Sequence, residues 1–528
     1  MTRFTKYVCL TLLLAGCSGT GTNRDWYSEY GNGQTGTPNR MQYGTYQTNK
    51  TNDGKTHSIA VLLPQTGPNA QIGNGIRGGV ELAVLQNDID NLSVSFYDTA
   101  VNPEYTIKNA VATNPEIIIG PLFSKNAELL RDIKPIDTPA ISFTSDANAL
   151  GNGVLTVNLM PTNSIEIIIR EMISDNNKKL IIIAPNNDSG KIMAGVAKNG
   201  AEIYGLELNG IFYYNEGDNE SIKNTSETAS MYIARTNANK RAREILSDIA
   251  TNEKITGIEK SKIYYQIDKL SKNETIGDLP YNAVLFLGNA NDSKSLGSFL
   301  RYYGVDSNKV RFYGTAMWDN TDLASDFTMS GAKYAAMPEQ DIRFSTLYEY
   351  TYGTLPSRLA TFGYDATNIA IGTIYSSKTK AAYLLDPSGY DGTDGIIRLK
   401  PNGDSERGLR IVELNASGTP RTIKTAPENF IVPLYNIEQR KIKPANAMGL
   451  QTSGINPMDY INIPTNLQKK YKSQTYGVNI TEKKNVINEN TLTILPEDDR
   501  DPITNPEYQP IKIESINKTL IDSVEIEE

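Results

Sequence analysis

From Ser58 onward, short apolar runs of β character alternate with stretches whose apolar residues recur at helical spacing. Ile59 to Leu63 is such a run, closed by Pro64. Gly73 to Gln86 follows, with Ile76, Val80, Leu82, Ala83 and Leu85 apolar, and predicts a helix. Val94 to Tyr97 and Glu116 to Ile119 read as strands with a helix from Tyr105 to Thr113 between them, and Pro139 to Phe143 as a fourth strand. After Pro161 the rhythm restarts: helix Ile165 to Ser174, strand Leu180 to Ala184, helix Ile192 to Tyr204, strand Leu208 to Tyr213. Strands Ala283 to Leu287 and Val310 to Tyr313 continue it, with a helix from Ser293 to Tyr303 between them. Strands that alternate with helices imply parallel sheets built from crossover units. Two such series in one chain predict an α/β fold with two lobes of similar kind.

The flanks are different. Arg3 and Lys6 precede an apolar run from Tyr7 to Leu14, and Leu14-Ala15-Gly16-Cys17 closes it with small residues before a cysteine. That order is the one of a secretory signal, and the run is far below the roughly 20 apolar residues that span a bilayer. Leu-Ala-Gly-Cys in this place resembles the lipobox of bacterial lipoproteins. The resemblance implies removal of residues 1–16, a diacylglyceryl group on Cys17 and an acylated new N-terminus. Several acyl chains anchor firmly where one holds only marginally. Ser18 rather than Asp follows the cysteine, which in Gram-negative lipoproteins implies the periplasmic face of the outer membrane. Residues 17–56 are Gly, Thr, Asn, Gln and Tyr with almost no aliphatic residue, and are expected to be a disordered tether. Forty such residues have a mean span of roughly 35 Å and reach roughly 130 Å when stretched. Residues 421–528, polar and rich in Asn and Pro, are expected to be mostly disordered: a spacer or a partner-binding arm. Within the second lobe, Glu227 to Lys272 is charged, with Ile245, Ile249, Ile263 and Ile267 at helical spacing. It reads as a helical insertion, or as an amphipathic hairpin without a partner.

Composition removes several chemistries. Of 528 residues two are cysteines, Cys9 in the leader and Cys17, and the one histidine is His57. A mature chain beginning at Cys17 would have no free thiol, disulfide or cysteine metal site. Cys-His, Ser-His-Asp and His-rich metal sites are excluded. His57 is expected to be exposed at the end of the tether. A net charge of −8 without a basic stripe argues against nucleic acid. No carboxylate pair stands out for glycosidase chemistry. Gly73-Asn74-Gly75-Ile76-Arg77-Gly78 with Asp98 some 20 residues on spells a dinucleotide fingerprint. Nucleotide binding needs the first glycine in the turn directly after the strand. Here Pro64 to Ile72 intervene, so the glycines are expected to serve close packing of that helix on the sheet. Neither cofactor nor metal is expected, and the chain is read as non-enzymatic.

One series of loops carries a wider resemblance. Ile59-Ala-Val-Leu-Leu-Pro-Gln-Thr66-Gly67-Pro68 followed by Ile72-Gly73 resembles the opening of type I periplasmic binding proteins, the superfamily of the leucine, isoleucine and valine receptors. Ile118-Ile-Gly-Pro-Leu-Phe-Ser124 and Pro139-Ala-Ile-Ser-Phe-Thr-Ser145 resemble its next two cleft loops. Phe362-Gly-Tyr-Asp365-Ala resembles its late first-lobe helix, and Tyr390 to Leu414 its closing hairpin. The resemblance covers residues 57–420. It implies a cleft and a hinge between a first lobe (57–160 and 338–385) and a second (161–337 and 386–420). The crossings would fall near Met160-Pro161, Ala335 to Pro338 and Asp386 to Asp391. Within that superfamily, Leu279-Pro-Tyr-Asn-Ala-Val-Leu-Phe-Leu, Leu300-Arg-Tyr-Tyr-Gly-Val-Asp and Val310-Arg-Phe-Tyr-Gly-Thr-Ala-Met-Trp318-Asp319 look closest to penicillin-binding protein activators of Gram-negative bacteria. That kinship implies an outer-membrane lipoprotein that binds and stimulates a bifunctional peptidoglycan synthase. The N-terminal helical repeat of the enteric activators has no counterpart here.

The cleft loops suggest a second reading, a receptor for a small amino-acid-like solute. Thr66, Ser124, Thr144 and Ser145 follow strands near helix N-termini, where hydroxyls and free N–H groups suit a carboxylate. Trp318 is placed to cover an apolar side chain at the cleft mouth, and Asp319 or Asp365 to meet an ammonium. The alternative is that each hydroxyl only caps its helix. A third reading, a structural envelope protein, rests on the polar tail alone.

Overall fold

The structure, a computed structural model, describes residues 55–477 except 320, 322, 324–326, 416–418, 434–441, 453, 469 and 472–474, with the backbone alone at 31–34, 39–40 and 431–433. The leader, Cys17 and everything after 477 lie outside the described residues. Two short strands, β1 (Gly31–Gln34) and β2 (Asn39–Arg40), come first. The first lobe is then built on β3 (His57–Leu63), β4 (Leu92–Asp98), β5 (Ile117–Ile119), β6 (Ala140–Ser142) and β7 (Val154–Thr156). They pair in the order β4-β3-β5-β6-β7, all parallel. Residues of β3 point alternately to its two faces. Ile59, Val61 and Leu63 meet Ile76 and Val80 of α1 (Ala70–Asn87) and Ile369 of α11 (Arg358–Tyr375). Ala60 and Leu62 meet Ile107 of α2 (Pro103–Ala112) and Leu130 of α3 (Ser124–Ile133). A strand buried on both faces explains why Ile59 to Leu63 is apolar throughout.

The second lobe repeats the design. Its sheet runs β17-β16-β12-β11-β10-β8-β9. Parallel strands β8 (Lys179–Pro185), β9 (Glu207–Tyr214), β10 (Ala283–Phe286), β11 (Arg311–Gly314) and β12 (Lys333–Ala336) are extended by antiparallel β16 (Arg410–Leu414) and β17 (Pro420–Lys424). Helices α4 (Pro161–Ser174) and α5 (Asp188–Tyr204) cover one face, α6 (Asn219–Ala229) and α9 (Ala290–Tyr302) the other. The chain passes between lobes after Thr156, after Ala336 into α10 (Ile342–Tyr352), which packs on α1, and after α12 (Lys380–Leu384). Beside these crossings a small sheet forms from β13 (Tyr390–Gly392), β14 (Gly395–Leu399) and β15 (Ser405–Arg407), with β2 next to β13. It touches the first lobe directly: the Thr156 N–H donates to the Gly403 carbonyl at 2.8 Å.

Residues 227–272 contain the end of α6 and two further helices, α7 (Tyr232–Ala250) and α8 (Gly257–Ser271), packed together through Ala238, Ala242, Ile245, Ile249 and Ile263. Three expectations meet a different arrangement. Part of the tether is paired: β1 lies antiparallel to β18 (Ile431–Pro433), and β2 parallel to β13. Part of the tail is packed: 442–471 runs along the second lobe. Ala445 donates to the Lys191 carbonyl at 3.0 Å, Met448 exchanges hydrogen bonds with Ile211 on β9, and Ile455 and Ile463 are buried against α7 and α8. His57 is buried at the start of β3, not exposed. Its Nδ1 lies 2.9 Å from Glu116 Oε1 and its ring edges onto Tyr375 at 4.9 Å.

Candidate functional site

The first-lobe loops that were expected to hold a carboxylate leave the C-terminal ends of β3, β5 and β6. Thr66 is already engaged there: its hydroxyl donates to Asp98 Oδ2 at 2.6 Å. Asp98 also accepts from the N–H groups of Gln65 and Ala100, at 2.8 and 2.9 Å. These hydrogen bonds hold its carboxyl below the usual range against the opposing effect of burial, the largest single influence on it. Thr144 is buried. Its hydroxyl accepts from the Asp146 N–H at 3.1 Å and its carbonyl accepts from the Thr156 hydroxyl at 2.7 Å, so it holds a turn and caps no long helix. Ser124 opens α3 and Ser145 follows Thr144; among the described residues neither hydroxyl has a hydrogen-bond partner. Of the four hydroxyls, Ser124 and Ser145 are therefore the two left free.

The residues expected to hold the rest of a solute lie elsewhere. Trp318, only 1% exposed, is inside the second lobe and not at a cleft mouth. Its indole N–H donates to Ser293 at 3.1 Å, and its ring packs 6.0 Å from both Phe286 and Tyr334. It lies so close over Gly314 that a Cβ there would come within 2.3 Å of the ring. Asp319 lies 3.6 Å from Arg358, at the start of α11, and 3.6 Å from Arg410, at the start of β16. It therefore ties the second lobe to the first lobe and the hinge, and its charge is met. Asp365 is fully buried beneath the hinge sheet. One oxygen accepts from both the N–H and the hydroxyl of Thr393, each at 3.0 Å. Burial pushes its carboxyl up to about 7, opposed chiefly by the Arg407 guanidinium. Arg407, equally buried, donates twice to the Val157 carbonyl, at 3.1 and 2.7 Å, and covers the ring of Phe362 at 4.7 Å. Asp394 completes the cluster: it accepts from Arg358 at 3.1 Å and from the Thr361 hydroxyl, and burial raises it too. The seven candidates thus divide between the cleft loops, the second-lobe core and the hinge.

Sequence reasoning gave Arg358, Arg407 and Asp394 no part in the site. Arg358 starts α11, Arg407 lies on β15 and Asp394 in the turn between β13 and β14, and what joins them is contact with partners distant in sequence. The glycine motif has a packing role, though chiefly against helices and a turn and less against the sheet. A Cβ on Gly73 would meet the Pro64 carbonyl at 1.8 Å, on Gly75 the Ser357 hydroxyl at 3.2 Å, and on Gly78 the Tyr348 hydroxyl at 2.6 Å. The approach at Gly73, to backbone, leaves no room for a side chain. Among the described residues no group of three or more His, Cys, Asp or Glu could hold a metal, and no helix is long and apolar enough to cross a membrane.

Comparison with known proteins follows the same lines. A family model described as "LppC putative lipoprotein" matches residues 46–260. Among solved structures, a "putative branched-chain amino acid ABC transporter" protein from Rhodospirillum rubrum aligns with a TM-score of 0.51 at 16% identity, covering 70% of this chain and all of that one. The LpoA (YraM) C-domain from Haemophilus influenzae, a regulator of PBP1A, aligns at 0.47 and 16% identity over 69% of this chain and 99% of that domain. Full-length LpoA aligns at 0.49 and 16% identity, over 70% of this chain and 59% of its own length. No curated protein matches the chain. The chain therefore has the two-lobed fold of type I periplasmic binding proteins, and over residues 46–260 it matches the LppC lipoproteins.

Proposed function

We propose that the protein is a non-enzymatic lipoprotein that binds a bifunctional penicillin-binding protein and stimulates its peptidoglycan synthesis. The LppC match supports the lipoprotein part, in line with Leu14-Ala15-Gly16-Cys17. A lipidated Cys17 followed by Ser18 would hold the head at the periplasmic face of the outer membrane. The observation that carries the choice against a solute receptor is the state of the cleft. Trp318, Asp319 and Asp365, the groups that would hold a solute's side chain and ammonium, are consumed by the core and the hinge. The docking face is assigned to the outer side of α8, where Ile258, Tyr264 and Tyr265 are exposed, while residues 455–471 cover the inner side of the α7–α8 pair. Exposed aromatic residues are the usual anchors of protein interfaces.

The test is reconstitution of the mature chain with each bifunctional penicillin-binding protein of its own envelope, reading glycan polymerisation and cross-linking. Stimulation is expected with at least one synthase. It should be lost in a folded Ile258→Ser, Tyr264→Ala, Tyr265→Ala variant. Absence of both binding and stimulation with every synthase would overturn the proposal. Stimulation that survives in the variant would move the docking face off α8.

The solute-receptor reading keeps one observation in its favour, the free hydroxyls of Ser124 and Ser145 beside an α3 that no side chain caps. On that reading Ser124→Ala weakens an amino-acid ligand by about 1 kcal/mol or more, in isothermal titration. Equal affinity in the variant would remove it.

A further inference from the structure

The charge of the chain is unevenly spread. The 51 residues after Gly477 hold 12 acidic and 5 basic side chains, a net −7 of the chain's −8. Four of those acids stand together in Glu497-Asp498-Asp499-Arg500-Asp501, between Pro496 and Pro502, a run to which the proposed function gives no task. Residues 232–272, which form α7 and α8, lean the other way, with 9 basic and 5 acidic side chains.

On α7 that excess has a definite place. Lys240, Arg243, Glu244 and Ser247 line a shallow depression of about 520 Å³. Spacings of three and four residues put them on one side of the helix. The acids here are already met. Arg241 lies 3.2 Å from Glu244, and Lys470 lies 3.2 Å from Asp248, which also accepts from the Tyr471 hydroxyl. Lys240, exposed, and Arg243, half-buried, are in no ion pair among the described residues.

The described chain ends beside this face. Lys470 and Tyr471 hold Asp248, the neighbour of Ser247. Tyr476 exchanges backbone hydrogen bonds with Ile455 at 2.8 and 2.7 Å, and Ile455 is buried against α7 and α8. Residues after Gly477 therefore leave from the helix pair that carries the basic depression. Twenty positions separate Gly477 from Glu497. Such a length reaches about 70 Å when stretched and spans roughly 25 Å as a flexible coil. Helix α7, with 19 residues, is about 28 Å long, so the acidic run can reach any point on it. A short link also gives an effective concentration of order millimolar, at which a weak ionic contact is well populated.

We infer that Glu497–Asp501 docks on the α7 depression of its own chain, with its carboxylates on Lys240 and Arg243. The Arg243 guanidinium offers a planar fork of donors to a carboxylate, and Lys240 a compact charge. The other acidic stretch, Asp522 to Glu528, starts 45 positions from Gly477. Its effective concentration on α7 is about threefold lower. This contact within the chain depends neither on lipidation nor on synthase activation.

The experiment measures spin-label distances by pulsed dipolar spectroscopy in residues 17–528 carrying Cys17→Ser, with labels at Asn237→Cys on α7 and Thr504→Cys beyond the acidic run. One narrow distance component is expected at low salt. It should persist when the labelled chain is diluted with unlabelled chain. Its width should at least double in Lys240→Glu, Arg243→Glu, and also in 1 M salt, where charges are screened beyond about 3 Å. Adding Glu497→Lys, Asp498→Lys, Asp499→Lys and Asp501→Lys to the α7 variant should restore the narrow component. Circular dichroism checks that each variant keeps the fold. A broad distribution in the unsubstituted chain at low salt overturns the proposal. So does a narrow component indifferent to the α7 reversal, or one that the tail reversal fails to restore. Disappearance on dilution would assign the contact to a second copy and overturn docking within the chain. Loss on reversing Asp522, Glu525, Glu527 and Glu528, but not on reversing 497–501 alone, would overturn the assigned segment.

Discussion

At the scale of single residues, the same side chain reads differently once its surroundings are known. Trp318 follows a strand end, which by sequence suits a lid on a ligand; the structure surrounds it with Phe286, Ser293, Gly314 and Tyr334. Trp318→Ala should therefore cost about 3–5 kcal/mol of stability, as large core truncations do. Gly314→Ala, which drives a methyl into the indole, should cost about 1–3 kcal/mol. Urea unfolding of the mature chain measures both; an unchanged midpoint for Trp318→Ala would return the ring to a surface role. Asp365 gives a pH signature. Its folded pKa of about 7 lies above the ordinary aspartate value of 3.8, so between those values the folded state holds a proton that the unfolded state has lost. Its contribution is full below about pH 4 and disappears as pH rises through 7, a loss of roughly 4 kcal/mol at 1.36 kcal/mol per unit. Asp365→Asn should remove this component. The stability difference between wild type and variant should then change between pH 5 and pH 8 in the variant's favour. A difference that stays constant would show that Asp365 is ionised throughout. None of this was readable from position 365, because Thr393 and Arg407 reach it only through the fold.

At the scale of elements, the strands were legible where the chain is buried on both faces. Ile59 to Leu63, Leu180 to Ala184 and Ala283 to Leu287 are apolar without interruption, and each lies within its observed strand or at most one residue past it. Helices α1, α4 and α9 were legible from their apolar spacing, with starts shifted by a few residues. The strap from 442 to 471 was not. Its buried residues, Ala445, Ile455, Pro457 and Ile463, are nowhere adjacent in sequence, so no periodicity announces them. Each docks on a surface that other elements build. Gly195 on α5 is part of that surface: a Cβ there would lie 1.9 Å from the Lys443 carbonyl. Gly195→Leu should lift the strap from its first contact. Trypsin cleavage after Lys470 is then expected to accelerate severalfold, with the second-lobe sheet retaining its slow hydrogen exchange. Unchanged cleavage would mean that the later contacts, Gln266 with Asn462 and Asp248 with Lys470 and Tyr471, hold the strap alone.

At the scale of the whole molecule, the question that the proposed lipidation of Cys17 raises is how far the head can stand from its anchor. A wholly flexible tether would allow roughly 130 Å. The ladders of β1 on β18 and β2 on β13 bring the last paired residue back to Gly31. Fourteen positions separate Gly31 from Cys17, and fourteen residues span at most about 50 Å. Both contacts are weak, since β1–β18 is an isolated two-stranded pair, marginal in water, and β2 is a two-residue strand at the edge of the small sheet, so tension along the chain would peel them before it unfolds either lobe. Reach is then adjustable, short at rest and longer under load. The proposed role needs that reach, because on that reading the anchor and the synthase sit in different membranes. Deleting residues 20–30 should leave stimulation by the purified protein unchanged and sharply reduce function in cells. A flexible spacer of about 30 Gly and Ser residues at the same place, adding roughly 30 Å of mean span, should restore it. Full cellular function of the deletion variant would show that the head meets its partner without the tether's length. Loss of stimulation by the purified variant would instead place part of the docking surface in residues 20–30.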